Sequence, residues 1–256
     1  MTCKICNSYS KNVFTAKVLK KHVVKYYKCD NCGYLFAEDP FWLEEAYSRT
    51  INLSDTGLLK RNIYFSKILS ILIYFNFNKD AMFLDYAGGY GVFTRLMRDI
   101  GFDFYWDDPY TKNLFANGFE IDLLTKPRFE LITVFEVFEH LVNPKEELKK
   151  MLQYSDTIIF STKLMPQEIP NPKDWWYFGF NHGQHVSFYT KHTLYSLANQ
   201  FKLKYYNVRG LHIITPKTFN NTLLILMKIF GSLGLSQIIK LGMKSKRFSD
   251  HLNIEK

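Results

Sequence analysis

Three features of the 256-residue sequence place it in the α/β class, with a small module in front of a doubly wound sheet. Two Cys-x-x-Cys pairs stand within the first 32 residues. The run from Ala81 to Ile100 reads as strand, glycine turn and helix, and the following apolar run, Phe102 to Trp106, ends in two aspartates. Strand, glycine turn and helix in that order open a Rossmann-like sheet. With 47% hydrophobic and 17% aromatic residues the chain can bury a large core, which excludes disorder as a description of the whole.

The first element is the cysteine module. Cys3-Lys4-Ile5-Cys6 and Cys29-Asp30-Asn31-Cys32 are separated by 22 residues. Each pair forms a knuckle with two thiolates on one side, and two facing knuckles complete the tetrahedral sulfur shell that zinc accepts. Four protein thiolates leave no open position, so the metal of this zinc-ribbon-like module is structural, and the stretch between the pairs is expected to be a β-hairpin. Disulfides and a redox Cys-x-x-Cys are the competing readings; the absence of any later cysteine and of an export signal counts against them. Gly33 allows the second knuckle and Pro40 marks a break, so the module is assigned to residues 1–40. Apolar spacing over Phe41 to Tyr47 and Leu58 to Phe75 predicts a helical connector over 41–80, with a polar loop at 52–57.

Residues 81–215 form the nucleotide-binding domain. Ala81 to Asp85 is its first strand, Tyr86-Ala87-Gly88-Gly89-Tyr90-Gly91 its turn, and Val92 to Ile100 its first helix. The second strand ends in Asp107-Asp108, where an acid meets ribose hydroxyls. The turn lacks the Gly-x-Gly-x-x-Gly spacing that suits a pyrophosphate, so a nucleoside without phosphates fits better than NAD, which stays open on this evidence. Further strands are expected at Phe129 to Phe135 and Thr157 to Thr162, helices at Lys145 to Gln153 and Lys191 to Phe201, and closing strands at 203–208 and 211–215 around Arg209-Gly210.

Net charge is +9, and the excess lies at the two ends. Residues 1–40 carry seven Lys/Arg against three Asp/Glu, 216–256 carry seven against two, and the middle has nineteen of each. Such ends suit phosphate groups, or are simply solvated. Residues 216–256 read as a basic helical extension of two short helices, broken near Gly231 to Leu235. The most apolar stretches, Ile63 to Phe77 and Leu223 to Leu241, are interrupted by Lys67 and by Lys228, Gly231 and Lys240, so no membrane span is expected. No charged start leads into an apolar run at the N-terminus, so a cytoplasmic location is expected.

Taken together, Leu84-Asp85-Tyr86-Ala87-Gly88-Gly89-Tyr90-Gly91, the acidic pair, and Leu131 to Leu141 resemble class I S-adenosylmethionine (SAM) methyltransferases. The resemblance spans nearly the whole chain. It is closest to bacterial enzymes of sugar and surface-polysaccharide (capsule) biosynthesis that carry an N-terminal zinc segment, through Ser54 to Asn62, Asp174 to Phe178 and His182 to Tyr189. One departure is Ala87, which stands where the family's Asp-x-Gly-x-Gly-x-Gly motif has its first glycine. The resemblance implies that Asp85, Tyr86, Ala87, Gly88, Gly89 and Gly91 hold the methionine part of SAM, and Asp108, or alternatively Asp107, its ribose. It also implies that Phe119 flanks the adenine, Phe135 and Glu136 face the ligand, and Thr56 and Arg61 close over the carboxylate.

Methyl transfer to a hydroxyl needs alignment and removal of a proton, a task that suits histidine. His185 is the first candidate base and His140 the second, a helix-capping role for His140 weighing equally; His182 is the third. Trp175, Trp176, Tyr177, Gln184 and Tyr189 offer flat faces and hydrogen-bonding groups to a sugar-like or phosphorylated acceptor, or pack beneath the loop. Oxygen is the favoured target, with carbon next, and an anionic phosphate oxygen would need no base. Ribosomal RNA methylation and a non-catalytic scaffold are the alternatives. The middle of the chain shows no interleaved basic and aromatic surface for nucleic acid, and the intact Asp85, Gly89, Gly91 and Asp108 argue against a scaffold.

Overall fold

The computed structural model describes residues 1–48, 55–208, 210–220, 222, 224–226, 229 and 234–255. Ser54 of the resembling motif, Arg209 and most of the expected break at 231–235 lie outside the described residues. Strands β1 (Ser10–Val18) and β2 (His22–Cys29) form an antiparallel hairpin between the cysteine pairs, in the register Ser10↔Cys29 to Val18↔His22. Its loop places Leu19 and Lys20 at φ 52° and 62°, a left-handed pair that non-glycine residues seldom adopt.

Strand β3 (Leu35–Ala37) pairs with β2, and helices α1 (Leu43–Ala46) and α2 (Leu58–Asn76) follow. Then come β4 (Met82–Tyr86), α3 (Val92–Ile100), β5 (Asp103–Asp107), β6 (Leu131–Phe135), α4 (Pro144–Met151) and β7 (Ile158–Ser161). The chain continues through β8 (Ser187–Phe188), α5 (Lys191–Gln200), β9 (Lys204–Val208), β10 (Leu211–Thr215), α6 (Leu235–Gly242) and α7 (Arg247–Ile254). Helix α5 starts at a reciprocal cap in which the Thr190 hydroxyl accepts from the Thr193 amide and the Thr193 hydroxyl accepts from the Thr190 amide.

The main sheet has the order β5-β4-β6-β7-β10-β9. Strand β4 runs parallel to both β5 and β6, while β9 and β10 form an antiparallel hairpin from Leu211↔Val208 to Thr215↔Lys204. β4 and β6 are buried along most of their length, as strands covered on both faces must be. This is the mixed α/β, Rossmann-like fold expected from the sequence. A second sheet, β1-β2-β3-β8, is completed by a strand contributed from 150 residues further along, through Leu35↔Phe188 and Phe36↔Ser187.

Two compact units are distinguished: Met1–Asn52 with Phe135–Met151 and Phe160–Pro216, and Leu53–Val134 with Leu152–Ile159 and Lys217–Lys256. In the first, the hairpin shares one core with the aromatic segment before β8. Val18, Val24, Tyr26, Leu35 and Trp42 pack with Tyr177, Phe178, Val186 and Phe188. The hairpin is too short to enclose a core of its own, and this borrowed aromatic face supplies it. In the second unit, α2 buries Phe65, Ile68, Leu69 and Leu72 and packs with α3 and α6. No described helix is long and apolar enough to cross a membrane.

Candidate functional sites

The four cysteines converge. Their sulfurs lie within 4.8 Å of one another, with Cys3 Sγ 3.6 Å from Cys32 Sγ and Cys6 Sγ 3.5 Å from Cys29 Sγ. Sulfurs at ~2.3 Å from a common tetrahedral zinc would be roughly 3.8 Å apart, so the set fits the ion with little movement. None of the four is in a disulfide. Two amides shape the knuckles: Ile5 N–H points to Cys3 Sγ at 3.4 Å and Gly33 N–H donates to the Cys29 carbonyl at 2.9 Å. Gly33 has φ 74°, and a Cβ there would stand 2.9 Å from Thr190 Oγ1, so this turn requires glycine. The second knuckle is tied to α5, where the Thr193 hydroxyl donates to the Cys32 carbonyl at 2.8 Å.

In the other unit, residues that the sequence singles out as donor-binding candidates gather at the end of β4. Asp85 is buried, and its Oδ2 and Oδ1 accept from the hydroxyls of Thr94 (3.0 Å) and Thr133 (2.9 Å). Burial pushes its carboxyl up to about 7, against the two hydroxyls, which pull it down. Ala87, Gly89 and Gly91 all have positive φ, at 54°, 56° and 81°. The departure from the glycine motif is therefore an alanine held in a left-handed conformation. At Gly91 a Cβ would fall 2.6 Å from Asn113 Oδ1, so the turn packs tightly on the following loop.

The two aspartates at the end of β5 have different surroundings. Asp108 accepts from Gly89 N–H at 2.9 Å through Oδ2, and from the amides of Tyr110 (2.8 Å) and Thr111 (2.9 Å) through Oδ1. Its carboxylate thus fastens the glycine turn to its own loop. Asp107 is half-buried, and its carboxylate makes no hydrogen bond among the described residues; burial, with Asp122 and Asp108 nearby, raises its pKa. A partly desolvated carboxylate with unused acceptors fits a ligand bearing hydroxyl donors. Phe119 is buried with one face covered by the Arg98 guanidinium, 3.5 Å from the ring centroid. Thr56 is exposed, and Arg61 is engaged in a two-pronged pair with Asp55.

The histidines gather in the first unit. The rings of His140 and His185 are 4.9 Å apart and those of His182 and His185 4.7 Å, both edge to face. His185 Nδ1 lies 2.6 Å from the Tyr177 carbonyl oxygen. A carbonyl can only accept, so Nδ1 carries the hydrogen and the Nε2 lone pair is left for another partner. Burial lowers the His185 pKa to about 4, with the Tyr177 carbonyl opposing, so the ring is neutral at pH 7. His140 Nδ1 is 2.9 Å from the Tyr47 hydroxyl, and burial, reinforced by the other two histidines, pushes its pKa well down.

Glu136 follows β6 at φ 55°, a strained conformation of the kind found where side chains are aimed at ligands. Its amide donates to Ser161 Oγ at 2.9 Å, and that hydroxyl donates back to Glu136 Oε1. Phe135, the last residue of β6, is half-buried. Glu139, to which sequence reasoning assigns no role, is 1% exposed, and its Oε2 has no hydrogen-bond partner among the described residues. Burial, then the Glu136 charge, raises its pKa to about 8. The signal was the spacing Glu136-x-x-Glu139-His140, two acids a turn apart beside a histidine.

Of the five aromatic and polar acceptor candidates, Tyr177, Gln184 and Tyr189 are buried and bonded inward. Tyr177 Oη meets Thr162 Oγ1 at 3.1 Å and the Lys163 amide at 2.9 Å, Gln184 Nε2 donates to the Ala46 carbonyl at 3.0 Å, and Tyr189 Oη donates to the Phe138 carbonyl at 2.8 Å. Trp175 is half-buried against Phe178. Trp176 is 72% exposed, with Lys163 Nζ 4.9 Å from its ring centroid.

Residues 61–208 match the family model described as "Methyltransferase domain". Among solved structures, the chain is similar to the SAH-bound CalO1, a methyltransferase in calicheamicin biosynthesis (12% identity, 70% of this chain and 60% of that one, TM-score 0.46). It is also similar to the plantazolicin methyltransferase BpumL in complex with SAH (13%, 78% and 89%, TM-score 0.48) and to human N-acetylserotonin methyltransferase in complex with SAM (11%, 69% and 66%, TM-score 0.44). The chain spans about 60% of the length of CalO1. No curated protein matches the sequence. With the family model covering more than half of its length, the chain belongs to the methyltransferase-domain family.

Proposed function

We propose that the chain transfers the methyl group of SAM to a hydroxyl of a sugar or sugar-linked, phosphorylated small molecule, as in surface-polysaccharide assembly, and that the Cys3, Cys6, Cys29 and Cys32 site holds a structural zinc. SAM supplies an electrophilic methyl on a sulfonium centre. The glycine turn and Asp85 hold its methionine part, and Asp107, with its unused acceptors, takes the ribose hydroxyls while Asp108 keeps the turn closed.

The observation that carries the acceptor reading is His185. Its Nδ1–H is fixed on the Tyr177 carbonyl, its Nε2 lone pair is left for a hydroxyl proton, and His140, His182 and Glu139 stand around it. The exposed Trp176 face with Lys163 over it is a flat surface beside a cation, a combination suited to a sugar bearing a phosphate.

The test is transfer of labelled methyl from SAM into bacterial small-molecule and polymer fractions, with and without nuclease, by the wild-type chain and by His185→Gln. Label in phosphorylated or nucleotide-linked sugars, reduced about 100-fold or more by the substitution, is expected for a positioned base. Label in a nuclease-sensitive polymer would instead make the acceptor RNA.

A further inference from the structure

The residues around Glu139 do more than present a base. Ligand atoms of Glu139, His140 and His185 lie within 4.8 Å of one another, a grouping that, besides the four cysteines, is the only one of its kind among the described residues. Two histidines and one carboxylate form a donor set for divalent metals of intermediate softness. Two such atoms at ~2.1 Å from one ion stand roughly 3 to 4 Å apart, so small side-chain rotations would bring the three into a coordination shell.

A second, independent observation is the state of Glu139. It is buried, yet its Oε2 has no partner among the described residues, although buried polar atoms are nearly always paired and an unpaired one costs free energy. A third is the support behind the rings. His185 donates Nδ1–H to the Tyr177 carbonyl, and His140 has the Tyr47 hydroxyl at Nδ1. Metal-binding histidines are held in this way, one nitrogen on an oxygen partner and the other on the ion.

We propose that Glu139, His140 and His185 bind a divalent transition-metal cation at a site separate in composition from the four cysteines. Glu136, adjoining through its interaction with Glu139, adds negative charge to the site. The binding stands independently of the function proposed above, whereas the cation's use rests on its methyl transfer to a hydroxyl and replaces the base role given there to His185. A cation holding the acceptor's oxygen would lower the pKa of that hydroxyl, and His185 would then serve as a ligand instead of a base.

The test adds Co2+ to full-length protein whose cysteine site has been saturated with zinc, with zinc content followed throughout. We expect one Co2+ per chain, weak visible absorption without the strong thiolate bands of a cysteine site, and paramagnetic shifts of the His140 and His185 ring protons but not those of His22 and His251. Glu139→Gln and His185→Ala should each weaken binding ten-fold or more, and the shifts in the wild-type chain keep the test valid if a variant folds poorly. Absence of Co2+ binding by the zinc-loaded wild type, or shifts confined to His22 and His251, would overturn the site. Methyl transfer without Co2+ binding rejects the cation and leaves the base; Co2+ binding without methyl transfer keeps the site and rejects the acceptor reading.

Discussion

Arg98 and Asp250 form a buried two-pronged ion pair across 152 residues of chain, with Nε 2.9 Å from Oδ2 and Nη2 2.8 Å from Oδ1, at 4% and 3% side-chain exposure. The same guanidinium donates to Asp103 Oδ1 and the Phe104 carbonyl, both at 2.8 Å, and lies over Phe119. Burial pushes the Asp250 carboxyl up, but the hydrogen bonds and charges of Arg98 and Arg95 outweigh it and hold it below the ordinary value. Helix α7 is thus pinned to α3 beside the ring proposed to flank the adenine.

Removing Asp250 takes away the buried partner of Arg98 and leaves it only the more exposed Asp103 as a carboxylate partner. Asp250→Ala is expected to cost about 3–5 kcal/mol in urea unfolding and to weaken SAM binding, because Arg98 loses the contact that sets its plane on Phe119. Unchanged SAM affinity in a folded Asp250→Ala chain would show that the pair serves stability alone.

Ala87 holds a left-handed conformation at φ 54°. That conformation costs roughly 1–2 kcal/mol in an L-residue, while glycine adds roughly 0.5–1 kcal/mol of unfolded-state entropy. Ala87→Gly should therefore raise stability by about 0.5–1 kcal/mol, read as a higher urea midpoint at constant slope. A lower midpoint would mean that the alanine methyl makes packing contacts worth more than the strain.

Asp85 titrates at about 7 in the folded chain against 3.8 in the open one. Between these values the folded state keeps a proton that the unfolded state has released, so stability falls as pH rises from about 4 through 7 and then levels. Asp85→Asn removes this contribution. Urea midpoints at pH 5 and pH 8 should differ less in the variant than in the wild type; equal differences would assign the titration to another group.

Stripping the zinc proposed at the four cysteines should dismantle more than the knuckles, because the hairpin and the segment before β8 share one core. Chelation that releases one zinc per chain is expected to collapse the near-ultraviolet signal of Tyr26, Trp42 and Tyr177 and to cost several kcal/mol. An unchanged aromatic spectrum after full release would show that the borrowed core holds without the metal.

The two aspartates after β5 separate by their bonding. Asp107→Asn should weaken SAM binding about ten-fold with the melting temperature unchanged. Asp108→Asn should lower the melting temperature as well, since three backbone amides lose an ionised acceptor. The reverse pattern would return the ribose role to Asp108.

Local features were legible in the sequence by itself. A Cys-x-x-Cys knuckle, a glycine turn between strand and helix, and an acid at a strand end are decided by neighbours a few residues apart, so spacing alone locates them. The α/β class and the hairpin between the cysteine pairs followed from such local rules. Contacts between distant segments were decided only by the tertiary structure. The meeting of Glu139 and His140 with His185, the pairing of β3 with β8, and the clasp of Arg98 on Asp250 each join segments between 45 and 153 residues apart. Asp107 and Asp108 show the same division on a smaller scale. Sequence position makes them equivalent, whereas the folding of the loop onto Asp108 saturates one carboxylate and leaves the other open, because a carboxylate's availability depends on the amides brought around it.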